Sequence, residues 1–206
     1  NGLIIQHAEE HNLSLNCVVN EGEIATRMGL RGVPSYAEAM VIERDIWLVK
    51  ETKCRYHVNH VSTKESVDII RKAKKEGLPV TCDTSPPYFT LNEFSLEDYR
   101  TFAKLNPPLR TEKDREAIIE GISDGTIDSI SSDHTPQDQD AKRLPFNQAE
   151  FGGVGLETLL PLTLNLVKNK KINIEKMISL LTYNPARILN LESGVIKEKA
   201  EADLSI

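Results

Sequence analysis

Ile127-Asp128-Ser129-Ile130-Ser131-Ser132-Asp133-His134-Thr135-Pro136 is the stretch on which the reading of the fold turns. Gly125 precedes a short apolar run with alternating character, and Pro136 stops any helical continuation because it lacks an N–H and its ring clashes with the preceding turn. The run reads as a buried strand, with Asp133 and His134 on the loop at its exit. Parallel α/β proteins bind ligands at the carboxyl ends of their strands, so an acid beside an imidazole there is a candidate for chemistry. For Asp133 the alternative is an Asx-turn or helix-capping acid at a loop start.

Upstream, the same arrangement recurs. Leu3 to His7 reads as a strand ending in His7-Ala8-Glu9-Glu10, followed by a polar connection containing Asn20, Gly22, Gly29 and Gly32. Ser35 and Glu38 have capping-box spacing at the start of a helix whose Ala39, Ile42, Ile46 and Val49 share one face. Arg55 to His60 reads as a second strand. Thr63 then caps a helix with the buried stripe Val67, Ile70 and Ala73, which Gly77 stops. Pro79 to Asp83 is a third strand, and Thr84 to Pro108 a connection longer than a turn requires. Thr111 to Asp114 begins a helix with Ile118, Ile119 and Ile122 inside. Beyond the fourth strand, Gly152-Gly153-Val154-Gly155 leads to a helix from Leu156 to Val167, with shorter helical pieces at Ile174 to Leu181 and Pro185 to Leu191.

Four strand-helix repeats predict an α/β fold with a parallel sheet. Because His7, His60 and Asp133 all fall at strand ends, half of a (β/α)8 barrel is expected rather than a small doubly wound sheet. The expected division is a barrel half over residues 1–192 and the start of a return into a small β subdomain over 193–206.

Composition narrows the partners. With 25 Lys and Arg against 31 Asp and Glu, the net charge of -6 lacks the concentrated positive charge that neutralises phosphates, so a small molecule is the expected partner. Cys17, Cys54 and Cys82 show neither disulfide-framework nor CxxC spacing, which fits a reducing, cytoplasmic setting. No apolar run has the length of a membrane span, and no signal segment is evident.

Two imidazoles and a carboxylate, His7, His60 and Asp133, form a candidate zinc shell. Each histidine reads equally as a buried ring satisfied by backbone. Asp133 would also suit general base and acid duty. His57 reads as an interior or rim residue, with a second ligand conceivable, and His11 as surface. Asn106, held by Pro107 and Pro108, could bind a cyclic amide, although a proline-rich helix lead-in is as natural. Lys142 and Arg143 read as solvated surface, with attraction of an anionic substrate as the functional alternative. Gly152, Gly153 and Gly155 could present backbone N–H groups to a ligand, and no nucleotide-binding glycine motif is matched.

Eight elements together resemble the dihydroorotases of the cyclic amidohydrolase group. They are His7-Ala8-Glu9, Asn20-Glu21-Gly22-Glu23, His60-Val61-Ser62-Thr63, Asn106-Pro107-Pro108-Leu109-Arg110, Asp124-Gly125-Thr126-Ile127-Asp128, Ser132-Asp133-His134-Thr135-Pro136, Val154-Gly155-Leu156-Glu157-Thr158 and Asn184-Pro185-Ala186-Arg187-Ile188-Leu189. The resemblance implies one or two Zn2+ ions with His7, His60 and Asp133 as ligands, Asp133 as the catalytic base and acid, and substrate contacts from Asn106, His134, Phe151 and Gly152. It implies reversible hydrolysis of dihydroorotate to N-carbamoyl-aspartate in pyrimidine biosynthesis.

The sequence departs from the family pattern at Pro87 and Tyr88, where many relatives carry a histidine pair, and at Gln137, where many have histidine. The family's first-strand His-x-His, its substrate-binding arginine and its bridging lysine or aspartate are expected upstream of Asn1. A missing N-terminal half of the same barrel is therefore an expected partner, and the isolated fragment is expected to be inactive. Two assemblies stay open, a homodimer and a complex with aspartate transcarbamoylase. The competing functional readings are a non-catalytic structural subunit of that complex and a hydantoinase- or allantoinase-like enzyme.

Overall fold

The structure, a computed structural model, describes residues 2–202 and 204. Strand β1 (Leu3–His7) leads through helix α1 (His11–Ser14) to β2 (Val19–Asn20), α2 (Glu23–Met28) and β3 (Gly32–Val33). β2 and β3 pair in parallel, so the stretch expected as a plain connection contains a ladder of its own. Helix α3 (Tyr36–Thr52) buries Ala39, Ile42, Ile46 and Val49, as their spacing predicts. The capping box expected at its start does not form. Ser35 has helical dihedrals (φ -58, ψ -35) and makes no cap bond, while the Glu38 carboxylate accepts from the backbone N–H groups of Ser62 and Thr63.

β4 (Arg55–Asn59) ends one residue before the expected boundary, because His60 takes a left-handed φ of 56°. In α4 (Lys64–Lys75) the Thr63 side chain accepts the Ser66 N–H, and Val67, Ile70 and Ala73 are buried. β5 (Val80–Thr84) follows. The expected long connection after it is largely helical: α5 (Pro86–Thr90) and two 3-10 segments, Glu93–Tyr99 and Thr101–Ala103. Pro86 and Pro87 begin that helix rather than prevent it, since the first turn needs no N–H donors.

α6 (Glu112–Asp124) opens with a full capping box between Thr111 and Asp114. β6 (Ser129–Ile130) is shorter than the apolar run suggests, because the Asp128 carboxylate takes the Cys82 N–H in place of a backbone carbonyl. α7 (Gln139–Lys142), α8 (Leu159–Lys168), α9 (Ile174–Leu181) and α10 (Tyr183–Leu189) complete the described elements. α8 starts three residues after the expected Leu156, whose N–H donates to His134 instead. α10 begins at Tyr183, ahead of the expected Pro185, a proline its first turn tolerates. Within the expected return into a β subdomain, Asp203, Ser205 and Ile206 lie outside the described residues, as does Asn1.

The main sheet has the order β1-β4-β5-β6 and is parallel throughout. Its spatial order is its chain order, with none of the reversal that marks a doubly wound sheet, so the strands form an arc of a barrel. Val58, Ile70, Ile118, Ile122 and Ile127 belong to one buried core cluster, each contributing about 1.5–3 kcal/mol by burial. Helix α4 packs between α3 and α6. No helix among the described residues is long and apolar enough to cross a membrane.

Candidate functional site

Asp83, at the end of β5, organises the carboxyl edge of the sheet. Its Oδ1 accepts the His60 backbone N–H at 2.9 Å and the Ser131 hydroxyl at 3.0 Å, and lies 3.2 Å from His60 Nδ1. Its Oδ2 lies 3.1 Å from Nε2 of buried His57, whose Nδ1 meets Thr81 Oγ1 at 2.8 Å. Burial alone would raise the Asp83 carboxyl, but hydrogen bonding with His57 and His60 outweighs it and holds the group well below the usual carboxylate range. Burial alone would lower His60, but Asp83, and then Asp133, lift it above the ordinary imidazole value. Asp83 is absent from the expected site residues, although the strand-end rule that singles out His7 applies to it equally. His57 is buried, the interior alternative of its sequence reading.

With Nδ1 facing the Asp83 carboxylate as a donor, the neutral His60 ring leaves its Nε2 lone pair free. That nitrogen faces Asp133, whose Oδ1 is 3.7 Å away. Asp133 itself takes a left-handed φ of 45°. The His7 and His60 ring centroids are 6.1 Å apart. His7 Nε2 lies 3.6 Å from Glu9 Oε2, and Asn106 Nδ2 donates to the same oxygen at 3.1 Å. Hydrogen bonding with His7, opposed by burial and helped by Ser14 and Asn106, lowers the Glu9 carboxyl to about 2. The structure thus brings His7, His60, Asp133 and Asn106 to one edge. Among the described residues no three His, Cys, Asp or Glu side chains are grouped closely enough to hold an ion.

Phe151 shares with Glu9, Asn106 and Lys104 the lining of a cleft of about 440 Å3. Gly152 N–H donates to the Lys104 carbonyl at 3.0 Å, and Gln137 Nε2 donates to the Phe151 carbonyl at 3.1 Å. His134 is exposed, and its Nδ1 accepts from the N–H groups of Gly155 and Leu156 at 3.2 and 3.1 Å. Its neutral ring therefore carries the proton on Nε2. Of the backbone donors expected to face a ligand, Gly155 is accordingly committed to this turn and Gly152 to the Lys104 carbonyl.

At this edge, Gly152 and Gly155 are required by close approach. A Cβ at Gly155 would lie 2.0 Å from Ser132 O, and one at Gly152, where φ is +116°, 2.4 Å from Thr135 O. Both oxygens are backbone, so the loop bearing Asp133 would have to move. Gly155→Ala is expected to destabilise the protein by about 1–3 kcal/mol. A urea unfolding midpoint unchanged from wild type would contradict this.

One sequence expectation is corrected here. Lys142 is neither solvated nor placed to attract an anion, being 2% exposed with Nζ hydrogen-bonded to backbone carbonyls. Burial pushes its ammonium group below the ordinary lysine range. Several residues shared with the dihydroorotase pattern build a buried frame. Arg110 Nε donates to Ser62 Oγ at 3.1 Å, and its Nη1 to Asn20 Oδ1 and Val33 O at 3.0 Å each. Asn20 Nδ2 donates to Glu93 Oε2 at 2.7 Å. Glu38 closes the frame by accepting from the backbone and hydroxyl groups of Ser62 and Thr63.

Known proteins similar to this chain share its fold. A family model described as dihydro-orotase-like matches residues 1–66. The chain is 47% identical over 205 residues to a dihydroorotase of Ehrlichia chaffeensis, covering 99% of this chain and 46% of that protein. It is 46% identical over 204 residues to a dihydroorotase of Acetivibrio thermocellus, covering 98% and 48%. Among solved structures, a dihydropyrimidinase from Brevibacillus agri is similar with a TM-score of 0.84 at 22% identity, over 98% of this chain and 46% of the other. L-Hydantoinase from Arthrobacter aurescens gives 0.82 at 26% identity, over 98% and 47%. The chain thus spans about half the length of the relatives it matches, and its parallel sheet corresponds to part of the amidohydrolase barrel fold. Over nearly its whole length the chain is similar in sequence to dihydroorotases, and over residues 1–66 to the dihydro-orotase-like family model.

Proposed function

We propose that this chain supplies the C-terminal half, residues 1–192, of a zinc-dependent dihydroorotase that reversibly hydrolyses dihydroorotate to N-carbamoyl-aspartate. The observation that carries the reading is the meeting of His7, His60 and Asp133 at one sheet edge, with Asp83 orienting His60. The donor set suits zinc, since His60 Nε2 is free and a carboxylate buttresses the opposite ring nitrogen. His60 and Asp133 would contribute ligands together with His7 and donors from the other half, since the three side chains do not by themselves enclose an ion. Bound there, zinc supplies Lewis acidity.

The chain's own residues do the rest. Asp133 takes a proton from the attacking water and returns it to the leaving ring nitrogen. Asn106, its amide oriented by Glu9, binds the cyclic amide. The backbone of Phe151 and Gly152 lines the ring, and His134 offers its Nε2 proton to a substrate oxygen. Tyr88 braces the loop that carries Asn106. Its buried hydroxyl donates to the Pro107 carbonyl at 2.8 Å, so the departure from the family's histidine supports the Asn106 loop. Preceding strand-helix units would cover Ile4 and Ile5, which are 51% and 47% exposed on β1.

The test is zinc content of the full-length protein together with dihydroorotate hydrolysis before and after chelation. Zinc binding and chelator-sensitive turnover are expected. A protein with neither would overturn the proposal, and turnover of hydantoin or allantoin alone would move it to another ring substrate.

A further inference from the structure

We infer that Lys104 and Lys142 are paired positioning residues, a clamp that fixes the backbone of Phe151 and Gly152 against the substrate; the substrate part of this role rests on the function proposed above. Lys104 Nζ donates to the carbonyls of Phe146, Asn147 and Ala149 at 2.8, 3.3 and 2.6 Å. Lys142 Nζ donates to those of Lys104, Glu150 and Gly152 at 3.3, 2.8 and 2.9 Å. Every hydrogen-bond partner of the two ammonium groups is thus a backbone carbonyl, five of them within residues 146–152.

Both lysines are 2% exposed. Burying an ammonium group is expensive unless its protons are all satisfied, and a leucine or methionine would fill the same space without that penalty. Two such groups side by side are explained by what they hold. Lys104 Nζ also lies 4.5 Å from the Phe151 ring centroid and 5.5 Å from that of Phe146, adding a cation–π attraction to the ring of the residue in question.

The orientation has a consequence for binding. In a trans peptide the carbonyl and the following N–H point opposite ways, so drawing the Glu150 carbonyl onto Lys142 turns the Phe151 N–H away from the clamp. Among the described residues that N–H has no acceptor. Phe151 lines the cleft it shares with Asn106 and Glu9, so the donor is available to a substrate oxygen. Lys142 and Gly152 N–H both bond the carbonyl of Lys104, two residues before Asn106. The Asn106 wall and the Phe151-Gly152 wall are thereby fixed relative to each other.

The experiment uses the full-length protein with Lys104→Met and Lys142→Met. It measures amide hydrogen exchange over residues 143–153 without substrate and steady-state hydrolysis of dihydroorotate. Exchange is expected to quicken about tenfold in that segment. KM is expected to rise about tenfold with kcat within about threefold, the pattern of weakened substrate placement. Unchanged exchange would overturn the clamp, and faster exchange with unchanged KM would overturn its role in substrate positioning. Should the methionine variants not fold, Lys142→Gln, which keeps two donors, is read by the same criteria. A wild-type protein inactive on dihydroorotate would overturn the proposed function and the substrate role with it, while the exchange data would still decide whether the clamp exists.

Discussion

Asp133→Asn in the full-length protein is expected to lower dihydroorotate turnover by about 10²–10⁴-fold, the usual contribution of a positioned general base. Thermal stability is expected to stay near wild type. Asp133 has a φ of 45°, a left-handed conformation that asparagine tolerates as readily as aspartate, so the loop keeps its path. What disappears is the carboxylate whose Oδ1 stands 3.7 Å from His60 Nε2. An amide of the same shape does not accept a proton near neutral pH. Alanine would be a poorer probe, because it would add backbone strain to the loss of the base. Turnover within about threefold of wild type would show that proton transfer belongs to another group.

Glu38→Ala is expected to remove about 3–5 kcal/mol of stability, the cost of stripping a buried charge of its counterpart. Glu38 and Arg110 are both nearly inaccessible. Their direct separation, 3.9 Å between Nη2 and Oε2, is long. The coupling runs mainly through Ser62, whose hydroxyl accepts from Arg110 and donates to Glu38. Truncation leaves the Ser62 and Thr63 N–H groups without their acceptor as well as an unpaired guanidinium. Glu38→Gln, which keeps one carbonyl acceptor, is expected to cost less. Urea unfolding of both variants measures the difference, and an alanine variant within about 1 kcal/mol of wild type would show the frame to be a minor contributor to stability.

The four strands of the main sheet could be read from sequence because each pairs an apolar run with a turn signal, and three of the helices because their buried faces recur at helical spacing. Three kinds of information were hidden. Pro86-Pro87 reads as a break but forms the first turn of α5, since local sequence does not distinguish the two uses of proline. Glu38 has capping-box spacing, yet four donors on Ser62 and Thr63 compete successfully for it from 24 and 25 residues away. Lys142 carries no sign in its neighbours that it is buried, because its partners are carbonyls, which every residue has. Asp83 is different. It stands at the end of a recognised strand, and an evenly applied strand-end rule would have included it beside His7, His60 and Asp133.

The buried frame around Arg110 also bears on the order in which the molecule can assemble. Its bonds join residues 48, 73 and 90 positions apart in the chain. Contacts of such separation close slowly, and on a ribosome they cannot close before their later partner has been synthesised. Until Arg110 emerges, Asn20 and Ser62 lack its guanidinium, and their polar groups must be hydrated or held by other partners. β1 and β4, with their histidines, would then wait, incompletely organised, for a residue that lies beyond β5.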